Sequence, residues 1–314
     1  MDKATGSASV SGVSLTFNNS SRNLVTVSGN TGTMHYRVGT NGSWTTTIPT
    51  STNVGSWTIY YYMDASTNYT ARGSSSSPWG SVSSSIAKAD QTAPTVTGAT
   101  TTYPTTATAS TSGGGGQGSI EWSNGNTQTS VGSKSTQARW SGNSNYNASS
   151  WSNSVTLTMN KASQNAPTAN GATTTYPTTA TATASGGGGK GSIEWSNGNT
   201  QTSVGSKTTK ARWSGDSNYN ASSWSNEVTV KMNKAAGSVT TAPVNNNYTY
   251  NGTARAVASA GSGTGTMYYR LGSSGNFSTT MPTMTNAGSN TLYYYAAAST
   301  NYEQSATGSI TVTV

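Results

Sequence analysis

Residues 118–134 read GSIEWSNGNTQTSVGSK, and residues 191–207 repeat the same seventeen letters. Within the stretch, Ile120 and Trp122 flank Glu121, so a strand would turn the two apolar side chains to one face and the carboxylate to the other. Asn124-Gly125 follows, and both residue types tolerate the positive φ of a tight hairpin turn. The stretch predicts a strand and a hairpin, and its recurrence predicts that one β-unit is used twice.

The composition of the whole chain favours strands over helices and over disorder. Charged residues make up only 8% of the 314 residues, whereas the chain holds 17 Tyr and 9 Trp. Disordered chains are as a rule highly charged and poor in aromatic residues. Thr and Tyr favour strands, Gly, Asn and Ser favour turns, and no segment shows a sustained 3.6-residue apolar period. The sequence therefore predicts an all-β protein.

The repeats extend over the full length. Residues 89–161 and 162–234 align without a gap and differ at 13 of 73 positions. GTMHYR at 32–37 returns as GTMYYR at 265–270, which relates the two ends of the chain to each other. Lys-Ala dipeptides mark the seams, at Lys88-Ala89, Lys161-Ala162 and Lys234-Ala235. We predict four domains: module 1 (1–88), module 2 (89–161), module 3 (162–234) and module 4 (235–314).

Two motifs at constant spacing in every module predict its core. A Gly-[Ser/Thr]-[Met/Ile]-x-[Tyr/Trp] motif ends on a large ring, and an Asn-Tyr pair follows a later glycine by fourteen residues. An inward ring stabilises a small domain because it removes ~150–250 Å² from water. The Asn-Tyr pair resembles a tyrosine corner, with a ligand-contacting tyrosine as the alternative. The predicted core rings are Tyr36, Trp122, Trp195 and Tyr269 from the first motif, and Tyr69, Tyr146, Tyr219 and Tyr302 from the second.

A family resemblance is carried by YNGTA at 250–254, GTMYY at 265–269, NAG at 286–288 and YYYAAASTNY at 293–302. These stretches resemble the tandem immunoglobulin-like repeats of bacterial surface proteins and bacteriophage virion proteins. The resemblance covers modules 1 and 4 well and modules 2 and 3 more loosely. It implies a tandem array of four small immunoglobulin-like β-sandwich domains. It also implies a place among capsid decoration, head-fibre or tail proteins.

The residues needed for catalysis or metal binding do not form a repeated pattern. The eight carboxylates are Asp2, Asp64, Asp90, Glu121, Glu194, Asp216, Glu227 and Glu303, and no pair recurs between sister modules as a glycosidase would require. His35 is the only histidine, so the many serines lack a partner that would activate them. There is no cysteine, which excludes disulfides and thiolate metal sites. We predict no enzyme activity, no cofactor and no metal.

The glycine run at 186–191 contains Lys190 and is followed by Ser192, so its composition resembles that of a phosphate-binding loop. The order of residues does not match a phosphate-binding loop, a strand rather than a helix follows, and module 2 has Gln117 in place of Lys190. We predict a flexible hairpin turn. The 16 Lys and Arg residues, which give a net charge of +8, are scattered singly, and this argues against a nucleic-acid interface.

The surplus of aromatic residues is the one signal that points to a contact surface. Alternation in YYY predicts one inward and one outward set of rings, and Asn-Ala-Ser-Ser-Trp segments predict tryptophans on loops. Either the rings cover the core or they contact a glycan or a protein. The candidates for surface contact are Trp151, Trp224, Tyr60, Tyr62, Tyr293 and Tyr295.

The family resemblance implies, and the serial arrangement of the modules suits, a non-enzymatic bacteriophage virion protein that mediates projection and weak adhesion to surfaces or glycans. Its partners would be other virion proteins, of capsid or tail, and glycans of the host surface or of mucus. No apolar run is long enough to span a membrane, so we do not expect a membrane as partner. Because the Lys and Arg residues are scattered, we do not expect nucleic acid either. Stalk repeats of a bacterial cell-surface adhesin and a glycan-binding module of a secreted protein are the alternatives. The oligomeric state stays open.

Overall fold

Every regular element of the protein is a β-strand, in a computed structural model that describes residues 1–314. The chain divides into two units, Met1–Asn160 and Lys161–Val314. The prediction of an all-β fold is confirmed. The boundaries of the four modules stay a prediction, and the module names below denote those stretches of sequence.

Module 1 folds into two layers of strands. Its strands are β1 (Ser9–Gly12), β2 (Ser14–Thr16), β3 (Arg22–Asn23), β4 (Val25–Ser28), β5 (Met34–Val38), β6 (Thr50–Ser51), β7 (Gly55–Met63) and β8 (Gly80–Ala87). One layer has the order β2-β8-β7-β5, in which β2 runs parallel to β8 and the other pairs are antiparallel. The other layer consists of β1 paired with β4 and β3 paired with β6. Three consecutive long strands in the order β5-β7-β8 form the C-F-G sheet of an immunoglobulin-type sandwich.

The core of module 1 lies between these layers. Met34 and Tyr36 on β5 and Ile59 and Met63 on β7 are buried, because every second side chain of a strand points to the same face. Leu24, between β3 and β4, closes the cluster from the opposite layer and is 1% exposed. Side chains from both layers therefore meet, as the predicted sandwich requires.

The second half of the first unit repeats this order. Its strands are β9 (Thr95–Thr97), β10 (Ala99–Thr102), β11 (Ala107–Thr108), β12 (Ser110–Ser112), β13 (Ile120–Trp122), β14 (Thr127–Gln128), β15 (Gly132–Thr136), β16 (Ala138–Trp140) and β17 (Val155–Asn160). Strand β17 lies between β10, its parallel partner, and β15, and β16 pairs with β13. The second layer consists of β9 with β12 and β11 with β14.

The hairpin predicted at Asn124-Gly125 is absent, and this prediction was wrong. Strands β13 and β14, on either side of Asn124-Gly125, pair with β16 and β11 rather than with each other. A two-residue hairpin of type I′ needs positive φ at both central residues, and here only Gly125 has it, at 63°. The Asn124 amide instead donates to the Ser135 carbonyl. Because β13 and β14 have partners in different layers, the turn connects one layer to the other.

The glycine runs likewise connect the two layers. Strands β12 and β13, on either side of Gly113–Gly116, have different partners, β9 and β16. The run is held by its neighbours: Gly115 N–H donates to the Thr92 carbonyl at 2.9 Å, and the Trp140 indole donates to the Gly113 carbonyl at 3.3 Å. Gln91 Oε1 accepts the Gln117 N–H at 3.0 Å. The strands on either side of the counterpart run at 186–189 also have different partners, so the hairpin turn predicted for that run is wrong.

In the second unit, residues 161–234 reproduce the strand order of β9–β17. The strands are β18 (Thr168–Asn170), β19 (Ala172–Thr175), β20 (Ala180–Thr181), β21 (Thr183–Ser185), β22 (Ile193–Trp195), β23 (Thr200–Gln201), β24 (Gly205–Thr209), β25 (Ala211–Trp213) and β26 (Val228–Asn233). Ala180, Ala182 and Val230 form the buried cluster, and Trp195 packs against it from β22. Trp195 is the largest side chain that packs against this small cluster.

Module 4 resembles module 1 except near its start. Its strands are β27 (Val239–Thr241), β28 (Val244–Asn245), β29 (Arg255–Ala256), β30 (Ala258–Ser259), β31 (Ser262–Gly263), β32 (Met267–Leu271), β33 (Thr283–Met284), β34 (Ser289–Ala296) and β35 (Gly308–Thr313). The sheet β32-β34-β35 corresponds to β5-β7-β8. No strand of module 4 pairs parallel with β35, whereas β2, β10 and β19 pair parallel with β8, β17 and β26.

Candidate functional site

Trp151 is the most exposed of the predicted contact residues in the first unit, and the strand edge beside it explains why. Ser149 and Ser152 are buried, and their hydroxyl oxygens accept the N–H groups of Trp140 and Ala138, both at 3.0 Å. The two serines therefore face β16 while Trp151, between them, faces away. Its side chain is 38% exposed, and Trp224 in the second unit is 39% exposed.

An arginine and a glutamate complete this arrangement. Glu121 and Arg139 are direct partners in the register of β13 and β16, and the Arg139 Nε donates to Glu121 Oε2 at 2.8 Å. The guanidinium carbon of Arg139 lies 4.6 Å from the centre of the Trp151 ring. The result is a Glu–Arg–Trp surface that offers an indole face, guanidinium donors and carboxylate acceptors side by side.

The same surface is present in the second unit. Arg212 Nε donates to Glu194 Oε2 at 2.8 Å, and its guanidinium carbon lies 4.5 Å from the centre of the Trp224 ring. Ser222 and Ser225 hold that loop to β25 through the N–H groups of Trp213 and Ala211. Each of the two units therefore carries one Glu–Arg–Trp surface.

A cleft of about 250 Å³ adjoins the surface in the first unit. Residues Ala93–Val96 line one side and Trp151–Asn153 line the other. It is slightly smaller than the ~300–1,000 Å³ typical of pockets for drug-sized ligands. A cleft of this size with an exposed ring on its rim suits the edge of a flat, polar ligand with an apolar face.

The four tyrosines Tyr60, Tyr62, Tyr293 and Tyr295 lie on the outer faces of their sheets and are half-buried there. Tyr62 stacks on His35 with centroids 4.5 Å apart, and Trp44 covers it edge-on at 4.7 Å. Arg37 inserts between Trp44, at 4.7 Å, and Tyr60, at 5.3 Å. These outward rings are therefore packed under neighbouring rings rather than held open to solvent.

Module 4 has the same outer packing with different rings. Tyr295 stacks on Tyr268 with centroids 5.4 Å apart and meets Phe277 edge-on at 4.8 Å. Arg270 lies 4.6 Å from the Phe277 ring and 5.2 Å from the Tyr293 ring. His35, whose place in module 4 is taken by Tyr268, makes a hydrogen bond between its Nε2 and Asp64 Oδ2 at 2.6 Å on the surface of module 1.

The predicted core rings divide into two groups. Tyr36 and Tyr269 are 2% and 3% exposed, while Trp122 and Trp195 are partly buried. The four Asn-Tyr tyrosines are also partly buried, and the main chain of each bridges an alanine at the start of its module: Ala4 with Tyr69, Ala89 with Tyr146, Ala162 with Tyr219 and Ala235 with Tyr302. A main-chain bridge thus ties this corner in every module.

Sequence reasoning missed the arginines. Four arginines each lie over an aromatic ring: Arg37, Arg139, Arg212 and Arg270. The sequence indicates only that each is an outward residue on a strand, and it does not indicate which ring the arginine contacts. No cluster of three or more His, Asp or Glu side chains suited to a metal ion occurs in the chain. None of its elements is a helix of the length and apolar character that crossing a membrane requires.

Comparisons with known proteins find matches of low similarity. No protein-family model and no curated protein sequence matches the chain. Immunoglobulin domains 1–5 of Sidekick-1 are 10% identical, with a TM-score of 0.26, over 100% of this chain and 78% of that one. A SusE-like surface-located polysaccharide-binding protein of the Bacteroides thetaiotaomicron heparin utilisation locus is 10% identical, with a TM-score of 0.20, over 98% and 72%. On its strand order, the chain is an all-β protein of immunoglobulin-like sandwiches.

Proposed function

We propose that the protein is a non-enzymatic display array that contacts glycans through Trp151 and Trp224. The observation that carries this proposal is the Glu–Arg–Trp surface, which occurs once in each unit with an exposed indole. An indole face packs against the C–H face of a sugar ring, and a neighbouring guanidinium and carboxylate can bond its hydroxyls. Exposed apolar surface rimmed by polar groups is typical of a binding site.

The surface suits weak, reversible contact. Its cleft is small, and the ion pair that flanks the ring is itself half-exposed, with side-chain exposures of 35% and 44%. One site of this kind would give low affinity, but two on one chain raise the overall avidity when both engage. We therefore assign adhesion to the repetition of the surface rather than to the strength of either copy.

The outer tyrosines receive a different role in this proposal. Tyr62 and Tyr295 are half-buried and meet Trp44 and Phe277 edge-on. Tyr60 and Tyr293 are half-buried too, and they lie against Arg37 and Arg270. We assign them to the packing of the outer sheet face. Trp151 and Trp224 are left as the contact residues.

A glycan array on the full chain tests the contact. Trp151→Ala and Trp224→Ala remove one indole each, and the double variant removes both. We expect each single variant to bind more weakly and the double variant to lose roughly tenfold or more in affinity, since every ~1.4 kcal/mol of lost contact is a factor of ten. Val38→Ala is the matched control, because it truncates an apolar side chain that is as exposed as Trp151 and lies outside these surfaces. Binding that is indifferent to both tryptophans would refute the proposal.

The family resemblance is the basis for proposing where the protein acts. We propose the bacteriophage virion, with capsid or tail proteins as anchoring partners and glycans of the host surface or mucus as ligands. The alternative is the stalk of a bacterial surface adhesin. Electron microscopy of particles assembled without this chain separates the two: lost surface projections support the virion, and unaltered particles contradict it.

A further inference from the structure

An aromatic residue lies fifteen residues before the glycine of the first motif in every module: Phe17, Tyr103, Tyr176 and Tyr250 precede Gly32, Gly118, Gly191 and Gly265. In the first unit, Phe17 meets the Asn-Tyr tyrosine of the following module, Tyr146, edge-on, with centroids 5.3 Å apart and planes at 78°. In the second unit, Tyr176 meets Tyr302 in the same way, at 5.5 Å and 75°. The ring pair is therefore a repeated joint between consecutive modules.

The joint in the first unit involves more than the two rings. Asn145, next to Tyr146, accepts the Val54 N–H through its Oδ1 at 3.3 Å. Ala89 and Tyr146 pack against the core cluster of module 1, and Phe17 is only 7% exposed there. One half of the joint is thus a ring and a loop N–H from the preceding module. The other half is the Ala and Asn-Tyr corner of the following one.

Module 4 presents the first half of this joint without a ring partner. Tyr250 is 57% exposed, in contrast to Phe17 at the equivalent position. Ala287, which corresponds to Val54, is exposed as well. The segment around Tyr250 also lacks the parallel pairing that the equivalent segments of the other modules make.

Module 1 presents the second half, already formed. The Ala4 N–H donates to the Asn68 carbonyl at 3.0 Å, and the Ala4 carbonyl accepts the Thr70 N–H at 2.9 Å. Ala89 makes the same two bonds, with Asn145 and Asn147, in the occupied joint. A cleft of about 240 Å³ lies at this corner of module 1, lined by Met1–Ala4 and Thr67–Tyr69.

We propose that the Tyr250 face of one copy binds the Ala4–Tyr69 corner of a second copy, head to tail. The second copy is the occupant because it carries the complementary half in the arrangement that the two internal joints use. The contact joins different surfaces of the two copies, so a dimer still presents one half of each kind and further copies can add to it. The proposal stands apart from glycan contact, since neither face includes a Glu–Arg–Trp surface.

The association should be weak and concentration-dependent. Consecutive modules experience an effective concentration on the order of mM because they are linked, whereas separate chains must give up translational freedom to meet. Sedimentation velocity of the full chain from about 10 μM to about 1 mM covers this range. We expect the mean sedimentation coefficient to rise with concentration, past that of a dimer.

Variants at the two ends distinguish head-to-tail binding from other association. Tyr250→Ala removes the ring, and Asn68→Ala removes the exposed amide that corresponds to Asn145, so neither truncates a buried side chain. Each variant alone should stay monomeric or associate about tenfold more weakly, and Trp151→Ala should behave as the unmodified chain. A mixture of the Tyr250→Ala and Asn68→Ala chains should form dimers and stop there, because each retains one intact end. Absence of concentration dependence, or association unchanged in both variants, would overturn the proposal.

Discussion

Arg139 bonds Glu121 through its Nε at 2.8 Å while its guanidinium carbon lies 4.6 Å from the centre of the Trp151 ring. One side chain thus orients both an acceptor and an exposed ring. An exposed cation–π contact contributes ~0.5–1 kcal/mol and an exposed ion pair ~0–1 kcal/mol. The arrangement therefore adds little to the stability of the fold, and we interpret it as a device for positioning the indole.

This interpretation predicts a separation of binding from stability at Arg139. Arg139→Ala should lower the free energy of unfolding by no more than about 1–2 kcal/mol, because only the two weak contacts are lost. Iodide quenching of fluorescence should report a more accessible Trp151. Glycan affinity should fall, because the indole is no longer held in position. A large loss of stability would contradict the assigned role, and Arg139→Lys, which keeps the charge without the planar fork, is the informative companion.

The buried serines on either side of Trp151, Ser149 and Ser152, should contribute more to the free energy of unfolding than the exposed Ser150. Ser152→Ala removes the acceptor of the buried Ala138 N–H, at a cost of ~1–3 kcal/mol in the free energy of unfolding. Ser150→Ala, on the exposed side of the same loop, should change it by less than ~0.5 kcal/mol. Denaturant unfolding measures both, and hydrogen exchange should show faster exchange at the Ala138 N–H only in Ser152→Ala. Equal effects of the two substitutions would mean that the loop is held in another way.

Trp195 should be needed for its own module. It is the largest side chain against the cluster of Ala180, Ala182 and Val230, and because it is partly buried, its truncation should cost a substantial part of the ~3–5 kcal/mol of a fully buried tryptophan. That is a large part of the ~5–15 kcal/mol that stabilises a typical domain. Limited proteolysis of the full-length Trp195→Ala chain should therefore produce new cuts confined to 162–234. Trp122→Ala should do the same within 89–161, and an unchanged digestion pattern would argue against a core role for these rings.

Burial should make module 1 sensitive to alkaline pH. It raises the pKa of the Tyr36 hydroxyl above the ordinary tyrosine value of 10.0, because the side chain is only 2% exposed and the ionised form would be desolvated. The folded state then holds its proton more tightly than the unfolded state does. The stabilising contribution is complete below about pH 10 and is lost as pH rises from there through the raised pKa of the folded state.

Tyr36→Phe provides the control for this pH dependence. The phenylalanine keeps the ring and has no proton to lose, so the fall in melting temperature above about pH 10 should become shallower. Scans of melting temperature from pH 7 to 11 on both proteins give the comparison. A fall that is equally steep in Tyr36→Phe would place the titrating group elsewhere.

Side-chain direction could be predicted from the sequence wherever it depends on local alternation. The outward positions of Glu121 and Arg139 and the inward positions of Leu157 and Met159 follow from the two-residue period of a strand. That Glu121 and Arg139 lie opposite each other depends on the register between β13 and β16, which pairs residues eighteen apart. The Glu–Arg–Trp surface was therefore visible only as three separate residues.

For the turns, the sequence predicts the position but not the conformation. Asn124-Gly125 and the glycine runs were correctly interpreted as turns, because the residue types fix which backbone angles are allowed. Their conformation depends on partners from distant parts of the chain. Gln91 holds the loop after Gly113–Gly116 from 26 residues away, and Ser135 accepts the Asn124 amide. A hairpin motif alone does not specify which layer receives the next strand.

The most direct test of glycan contact is an NMR titration of the indole N–H signals. The chain has nine tryptophans and so at most nine such resonances, which Trp151→Ala and Trp224→Ala assign by the loss of one signal each. On addition of a glycan selected on the array, we expect the Trp151 and Trp224 signals to shift and to saturate together while the other seven stay in place. Shifts confined to other tryptophans, or none at all at saturating glycan, would contradict it.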